Sequence, residues 1–87
     1  MHYDIEFKPR AMKDLKALPP RECARVVAKV EGLQNDLAGD VKRLTNFTPE
    51  FRLRVGDYRV LFEVEGGSLV IYRVMHRGKR IAGEEKP

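Results

Sequence analysis

The stretch Phe51-Arg-Leu-Arg-Val-Gly-Asp-Tyr-Arg-Val-Leu-Phe-Glu-Val64 decides the fold. Apolar and polar residues alternate on either side of Gly56-Asp57, the period of two expected of half-buried strands. Gly56-Asp57 reads as a tight turn, so 51–55 and 58–65 form a hairpin. A two-residue turn sets Arg54 directly opposite Arg59, and opposed residues of an antiparallel pair share a face. Arg52 joins that face by alternation. Like charges placed this way repel, so the face is built to receive an anion. Leu53, Val55, Tyr58, Val60, Phe62 and Val64 then face the core, which makes Tyr58 a core residue.

Toward the C-terminus, Gly66-Gly67 is a second hairpin signal and Leu69 to His76 a third strand. With a two-residue turn, Val64 meets Leu69 and Phe62 meets Ile71. The same register would put Arg73 opposite Val60 on the core face. Either a bulge shifts the parity or the arginines emerge where the strand leaves the sheet. Arg73 reads as a paired charge. His76 reads as a strand-end histidine making a structural hydrogen bond. Tyr72 either stacks on a base or covers the sheet edge. Arg77, beyond the strand end, is expected on the basic face. The tail from Gly78 to Pro87 is polar.

Toward the N-terminus, His2 to Phe7 alternates as a strand, with Tyr3, Ile5 and Phe7 on one face. Pro9 opens a helix to Leu18, which Pro19 and Pro20 stop. A second helix runs from Pro20 to Leu37, with Cys23, Val26, Val27, Val30, Leu33 and Leu37 as its apolar stripe. Val41 to Glu50 is irregular, with Leu44 and Phe47 anchoring it to the core. The order is β-α-α-β-β-β. This is an α+β fold, a helical hairpin packed on a mainly antiparallel sheet. It forms one domain, 1–87.

The 87 residues carry 17 Lys/Arg against 13 Asp/Glu, a net charge of +4. The excess is localised: residues 51–80 hold seven Lys/Arg and three Asp/Glu, and six of the seven are arginine. Arginine binds phosphate through two parallel hydrogen bonds and keeps its charge. A charge run is often only a solvated face, and pairing of the arginines with Glu63 and Glu65 is the plain alternative. There is no run of 18 apolar residues, so no membrane span is expected, and no signal-peptide pattern opens the chain. One cysteine excludes an internal disulfide. These features predict a cytoplasmic protein. His2, His76 and Cys23 lack ligand spacing, so neither metal nor cofactor is expected.

FRLRVGDYRVLFEV, followed by RVMHR at 73–77 and preceded by YDIEFKPRAMKDLKAL at 3–18, resembles RelE-type toxins of the RelE/ParE superfamily. The likeness covers nearly the whole chain, and RLRVGDYRV is its specific part. The resemblance implies a toxin of a type II toxin–antitoxin system with a microbial-RNase-like fold. Its activity would be metal-independent, ribosome-dependent endoribonuclease cleavage of mRNA. Its partners would be a RelB-like antitoxin and the ribosome with bound mRNA. By position, Arg59 and Arg77 would stabilise transition-state charge, and Arg52 and Arg54, with Lys79 and Arg80, would position RNA. Many members place a tyrosine shortly after the His-Arg element. Here that position falls at Ile81 or Ala82, so the general base is open. His76 and Lys79 are substitutes by type and Glu63 a weaker one. The other readings are alignment of the RNA by the ribosome with little base catalysis, a ParE-like gyrase inhibitor, and a catalytically decayed toxin that only binds antitoxin. Two short helices and one sheet also leave apolar surface for an antitoxin helix to cover.

Overall fold

The protein is described from a computed structural model that covers residues 2–46 and 48–76. Arg77, Lys79, Arg80, Ile81, Ala82 and Phe47 lie outside the described residues. The elements are β1 (Asp4–Phe7), α1 (Pro9–Lys16), α2 (Pro20–Gly32), β2 (Val41–Arg43), β3 (Phe51–Val55), β4 (Tyr58–Glu65) and β5 (Ser68–His76). They build a five-stranded sheet in the order β1-β5-β4-β3-β2. Only the β1–β5 pair is parallel. No described helix is long and apolar enough to cross a membrane.

One face of the sheet carries the core. Leu53, Val55, Val60, Phe62, Leu69, Ile71 and Val74 pack against Ala11 and Leu15 of α1 and Val26, Val30 and Leu33 on the α2 side. Each fully buried side chain of this size contributes roughly 1.5–3 kcal/mol. Phe51 and Phe62 stack at 5.4 Å across β3 and β4. Cys23 lies half-buried against the core, as its place in the stripe predicts. Met12 of α1 is the exposed large apolar side chain among the described residues.

The elements differ from the expected ones in four places. The first strand is shorter, and His2 instead forms an isolated bridge with Asn35. The first helix ends at Lys16, with Ala17 as its cap. The second helix ends at Gly32 rather than Leu37. Its last turn tightens, with Leu33 N donating to Val30 O and Gln34 N to Glu31 O. Beyond it, Tyr3 N donates to Gln34 O, and Gln34 Nε2 donates back to Tyr3 O, both at 3.0 Å. The opening strand thus recruits backbone that a longer helix would use internally. Asp36 and Leu37 turn left-handed, with φ of 56° and 58°.

The fourth difference lies in the irregular stretch. Val41–Arg43 is an edge strand paired with β3 in the register Val41↔Leu53, Lys42↔Arg52, Arg43↔Phe51. Leu44 is buried, but against Leu61 and Met75 on the face away from the helices. It anchors a second small cluster rather than the main core.

The β4–β5 hairpin carries the bulge. Val64 meets Leu69 and Phe62 meets Ile71, then the register shifts so that Arg73 opposes Leu61 and Val74 opposes Val60. The extra residue restores an apolar side chain to the core row and takes Arg73 off it.

Candidate nucleic-acid interface

The cationic face is assembled from three strands. On β3 and β4, Arg54 opposes Arg59, and β5 continues that row with Met75. The adjacent row runs Lys42, Arg52 and Leu61; Arg73, the register partner of Leu61, leaves the row and turns to Asp14 of α1. Both rows lie on the sheet face away from the helices, because Leu53, Val55 and Val60 occupy the alternate positions in the core.

The cations differ in access. Arg52 is 8% exposed. Its Nη1 lies 3.6 Å from Asp40 Oδ1 and donates to Asp40 O at 3.4 Å. The same carbonyl accepts Arg54 N at 3.0 Å. Arg52 thus ties the 39–40 loop to β3 and supplies charge from beneath. Lys42 and Arg54 are exposed, and Arg59 is half-buried. Lys42 was missed as a site residue because its strand is short. Its sequence signal was only a cation within the irregular stretch 41–50.

Three carboxylates near these arginines have partners of their own. Glu63 Oε2 accepts Glu50 N at 3.1 Å, Glu65 Oε2 accepts Tyr72 Oη at 3.2 Å, and Glu50 pairs with Arg43 at 3.0 Å. Strand parity sets Asp4, Glu6, Glu63 and Glu65 on the same face as Arg54 and Arg59, but toward β1 and the β4–β5 turn. The face is therefore acidic at one end and cationic at the other. The cationic end lies toward the β3–β4 turn, which Gly56 makes at φ 58°.

Tyr72 stands at the acidic end of the face, donating to Glu65. Burial and then the Glu65 carboxylate, with Glu63 and Glu6 beyond, push its phenol up. It stays protonated at neutral pH. Its ring also lies 5.7 Å from Lys8 Nζ.

His76 opposes Tyr58, and the rings meet edge to face at 5.4 Å and 88°. Tyr58 packs on the helix side, as its parity predicts. Alternation therefore directs His76 away from the face of Arg54, Arg59 and Met75. It lines a cleft of about 450 Å³ with Tyr58, Arg10, Asp14 and Leu18. On the other side, beside Lys42, a hollow of about 520 Å³ is lined by Arg43, Thr45, Asn46, Thr48 and Glu50.

Arg73 is a paired charge, as read from the sequence. Its Nε donates to Asp14 Oδ2 at 2.8 Å and its Nη2 to Asp14 Oδ1 at 3.4 Å. Burial pushes the Asp14 carboxyl up. The hydrogen bonds from Arg73 and Val74 N, with the charges of Arg73 and Arg10, outweigh that and hold it below the usual carboxylate value.

The chain is similar to known proteins in sequence and in fold. A family model for the ParE toxin of the type II toxin–antitoxin system parDE matches residues 5–81. The chain is 36% identical to toxin RelE3 of Methanocaldococcus jannaschii over 78 residues, 84% of this chain and 89% of that one. It is likewise 36% identical to toxin RelG of Mycobacterium tuberculosis over 84 residues, 88% of this chain and 93% of that one. Its fold superposes with a TM-score of 0.76 on a chain of the toxin–antitoxin complex RelBE2 from Mycobacterium tuberculosis. That match is 33% identical and covers 88% of this chain and all of the other.

Proposed function

From the premise that this chain belongs to the RelE/ParE family of type II toxin–antitoxin toxins, we propose that it is a ribosome-dependent mRNA endoribonuclease of the cytoplasm. The observation that carries this reading is the opposed pair Arg54 and Arg59 on an outward-facing sheet surface, with Lys42 and Arg52 in the next row. Such a face suits a phosphate backbone, which arginine binds through paired, charge-assisted hydrogen bonds.

The reaction is transesterification within the RNA. The ribose 2′-oxygen attacks the adjacent phosphorus and loses its proton. The bond to the 5′-oxygen breaks and that oxygen gains a proton, leaving a 2′,3′-cyclic phosphate and a 5′-hydroxyl. Fixed positive donors aimed at the phosphorane stabilise its developing charge without reorganising at the moment of reaction. Arg59 and Arg77 take that role. Arg54 and Lys42 position the RNA, Arg52 adds charge from beneath, and Lys79 and Arg80 extend the RNA track. The proton from the 2′-hydroxyl goes to a base supplied with the bound ribosome or from beyond His76. His76 itself faces the helix side and is a poor candidate. No residue here is assigned to hold a metal, and the chemistry requires none.

The control partner is a RelB-like antitoxin. Structural neighbours of this chain are toxin–antitoxin complexes from Mycobacterium tuberculosis and Methanococcus jannaschii. The exposed Met12 on α1 offers an apolar foothold for a covering helix.

The test is primer extension on mRNA bound to translating ribosomes, comparing wild type with Arg59→Ala and Arg77→Ala. Cuts by the wild type that both folded variants lose support the nuclease. An intact wild type that makes no cuts and inhibits gyrase selects the ParE-like alternative.

A further inference from the structure

β1 accompanies β5 only as far as Phe7↔Ile71, and Lys8 N closes that ladder by donating to Ile71 O at 2.8 Å. The chain then turns into α1. β5 runs on for five more residues with β4 on one side only. On its open side, the Val74 N–H would have no strand to bond. Asp14, from the second turn of α1, accepts that N–H with Oδ2 at 2.9 Å. The same oxygen takes Arg73 Nε at 2.8 Å, and Arg10 Nε stands 3.7 Å from Oδ1. One carboxylate thus replaces the next strand residue.

Its location gives that substitution a consequence. The bulge between Leu61 and Phe62 lies just before this point, on the ladder that β5 shares with β4. A bulge loosens pairing and lets a strand bend. The residues leaving it are Val74, Met75 and His76, and Met75 is the direct register partner of Arg59. The course of β5 past the bulge therefore sets what stands beside Arg59 on the cationic face.

We infer that Asp14 is a positioning residue for the arginine face: by clamping Arg73 and Val74 it fixes β5 beyond the bulge, and so Met75 against Arg59. Asp14 acts from the helix side and touches no RNA. The catalytic part of the inference rests on the nuclease reading; the structural part does not. No residue signal in the sequence could have shown the pair, since its members stand 59 positions apart.

The experiment uses the full chain with Asp14→Asn and, as the milder change, Arg73→Lys, which keeps the charge and loses the forked donor. Two readouts are taken well below the unfolding temperature. The first is the NMR signals of the Met75 methyl and Arg59 Nε–H. They are expected to shift in both variants while those of β3 hold. The second is single-turnover cleavage of ribosome-bound mRNA per folded molecule. The saturating rate is expected to fall about 10- to 100-fold in Asp14→Asn, the scale of a displacement near 1 Å, with half-saturation within about twofold. Arg73→Lys should fall between that variant and wild type. Unmoved Met75 and Arg59 signals overturn the inference, as does an unchanged rate in folded variants. A wild type that cleaves nothing defeats the nuclease reading instead, and the NMR comparison still decides the placement of Met75. Should Asp14→Asn fail to fold, Arg73→Lys supplies both readouts.

Discussion

Arg54 and Arg59 stand directly opposite each other across the β3–β4 hairpin, two like charges at adjacent positions on one face. Opposed residues in such a pair have Cα atoms about 4.5–5.5 Å apart. The arrangement costs stability, on the order of 0.2–1 kcal/mol for like charges directly opposed. A face selected for stability alone would place a carboxylate at one of the two positions. Arg54→Gln should therefore raise the unfolding free energy by up to ~1 kcal/mol while weakening RNA cleavage. Urea unfolding and ribosome-dependent cleavage on the same preparations check both halves. A variant that is less stable and fully active would contradict this account of the face.

The Asp14 clamp makes stability depend on pH in a definite direction. Its folded-state carboxyl is held below the usual value. The stabilisation is complete above the unfolded-state pKa of roughly 4 and disappears as pH falls through the lower folded value. Asp14→Asn should cost about 1–3 kcal/mol at pH 7, the range for a hydrogen-bonded charge. The gap to wild type should narrow below about pH 4. Denaturant unfolding at pH 7 and pH 3 measures it.

Binding of RNA on the cationic face should show counterion release. Each phosphate contact removed lowers the salt slope of binding by about 1. Arg54→Gln and Lys42→Gln are each expected to show this loss. Arg52→Gln should instead reduce folding stability more than the salt slope, because Arg52 is buried against Asp40. Titration of a non-cleavable RNA at several salt concentrations separates the two behaviours.

The turn between the arginines requires glycine. Gly56 has φ of 58°, and a Cβ there would lie 2.8 Å from Arg25 Nη1. Gly56→Ala should destabilise by about 1–2 kcal/mol for the left-handed conformation alone. Arg25→Ala relieves the steric part, so the double variant should be more stable than additivity predicts. A double-mutant cycle by thermal unfolding reads this directly.

Much of the site was legible because strand alternation and a two-residue turn are local rules. From Phe51 to Glu65 they place Arg52, Arg54 and Arg59 on one face and Tyr58, Val60 and Phe62 on the other without further information. The strand Val41–Arg43 was not legible. Three residues give no period to detect, and only β3 as a template makes them a strand. The early end of α2 was hidden for a related reason. The apolar stripe continues to Leu37, and Leu33 and Leu37 do reach the core. The Tyr3–Gln34 hydrogen bonds nevertheless divert the backbone before the stripe ends.

The sequence by itself determined the order of elements apart from β2, the β3–β4 register and the opposed arginines. Each follows from residues close together in the chain, where periodicity and turn chemistry act. Tertiary structure alone decided where the β4–β5 bulge falls, that Arg73 belongs to Asp14, that Arg52 is buried against Asp40, and that His76 faces away from Arg59. Those outcomes depend on contacts between distant segments. One extra residue in a strand reverses the facing of everything after it, and only the packing of α1 and the core against β5 fixes where that residue goes.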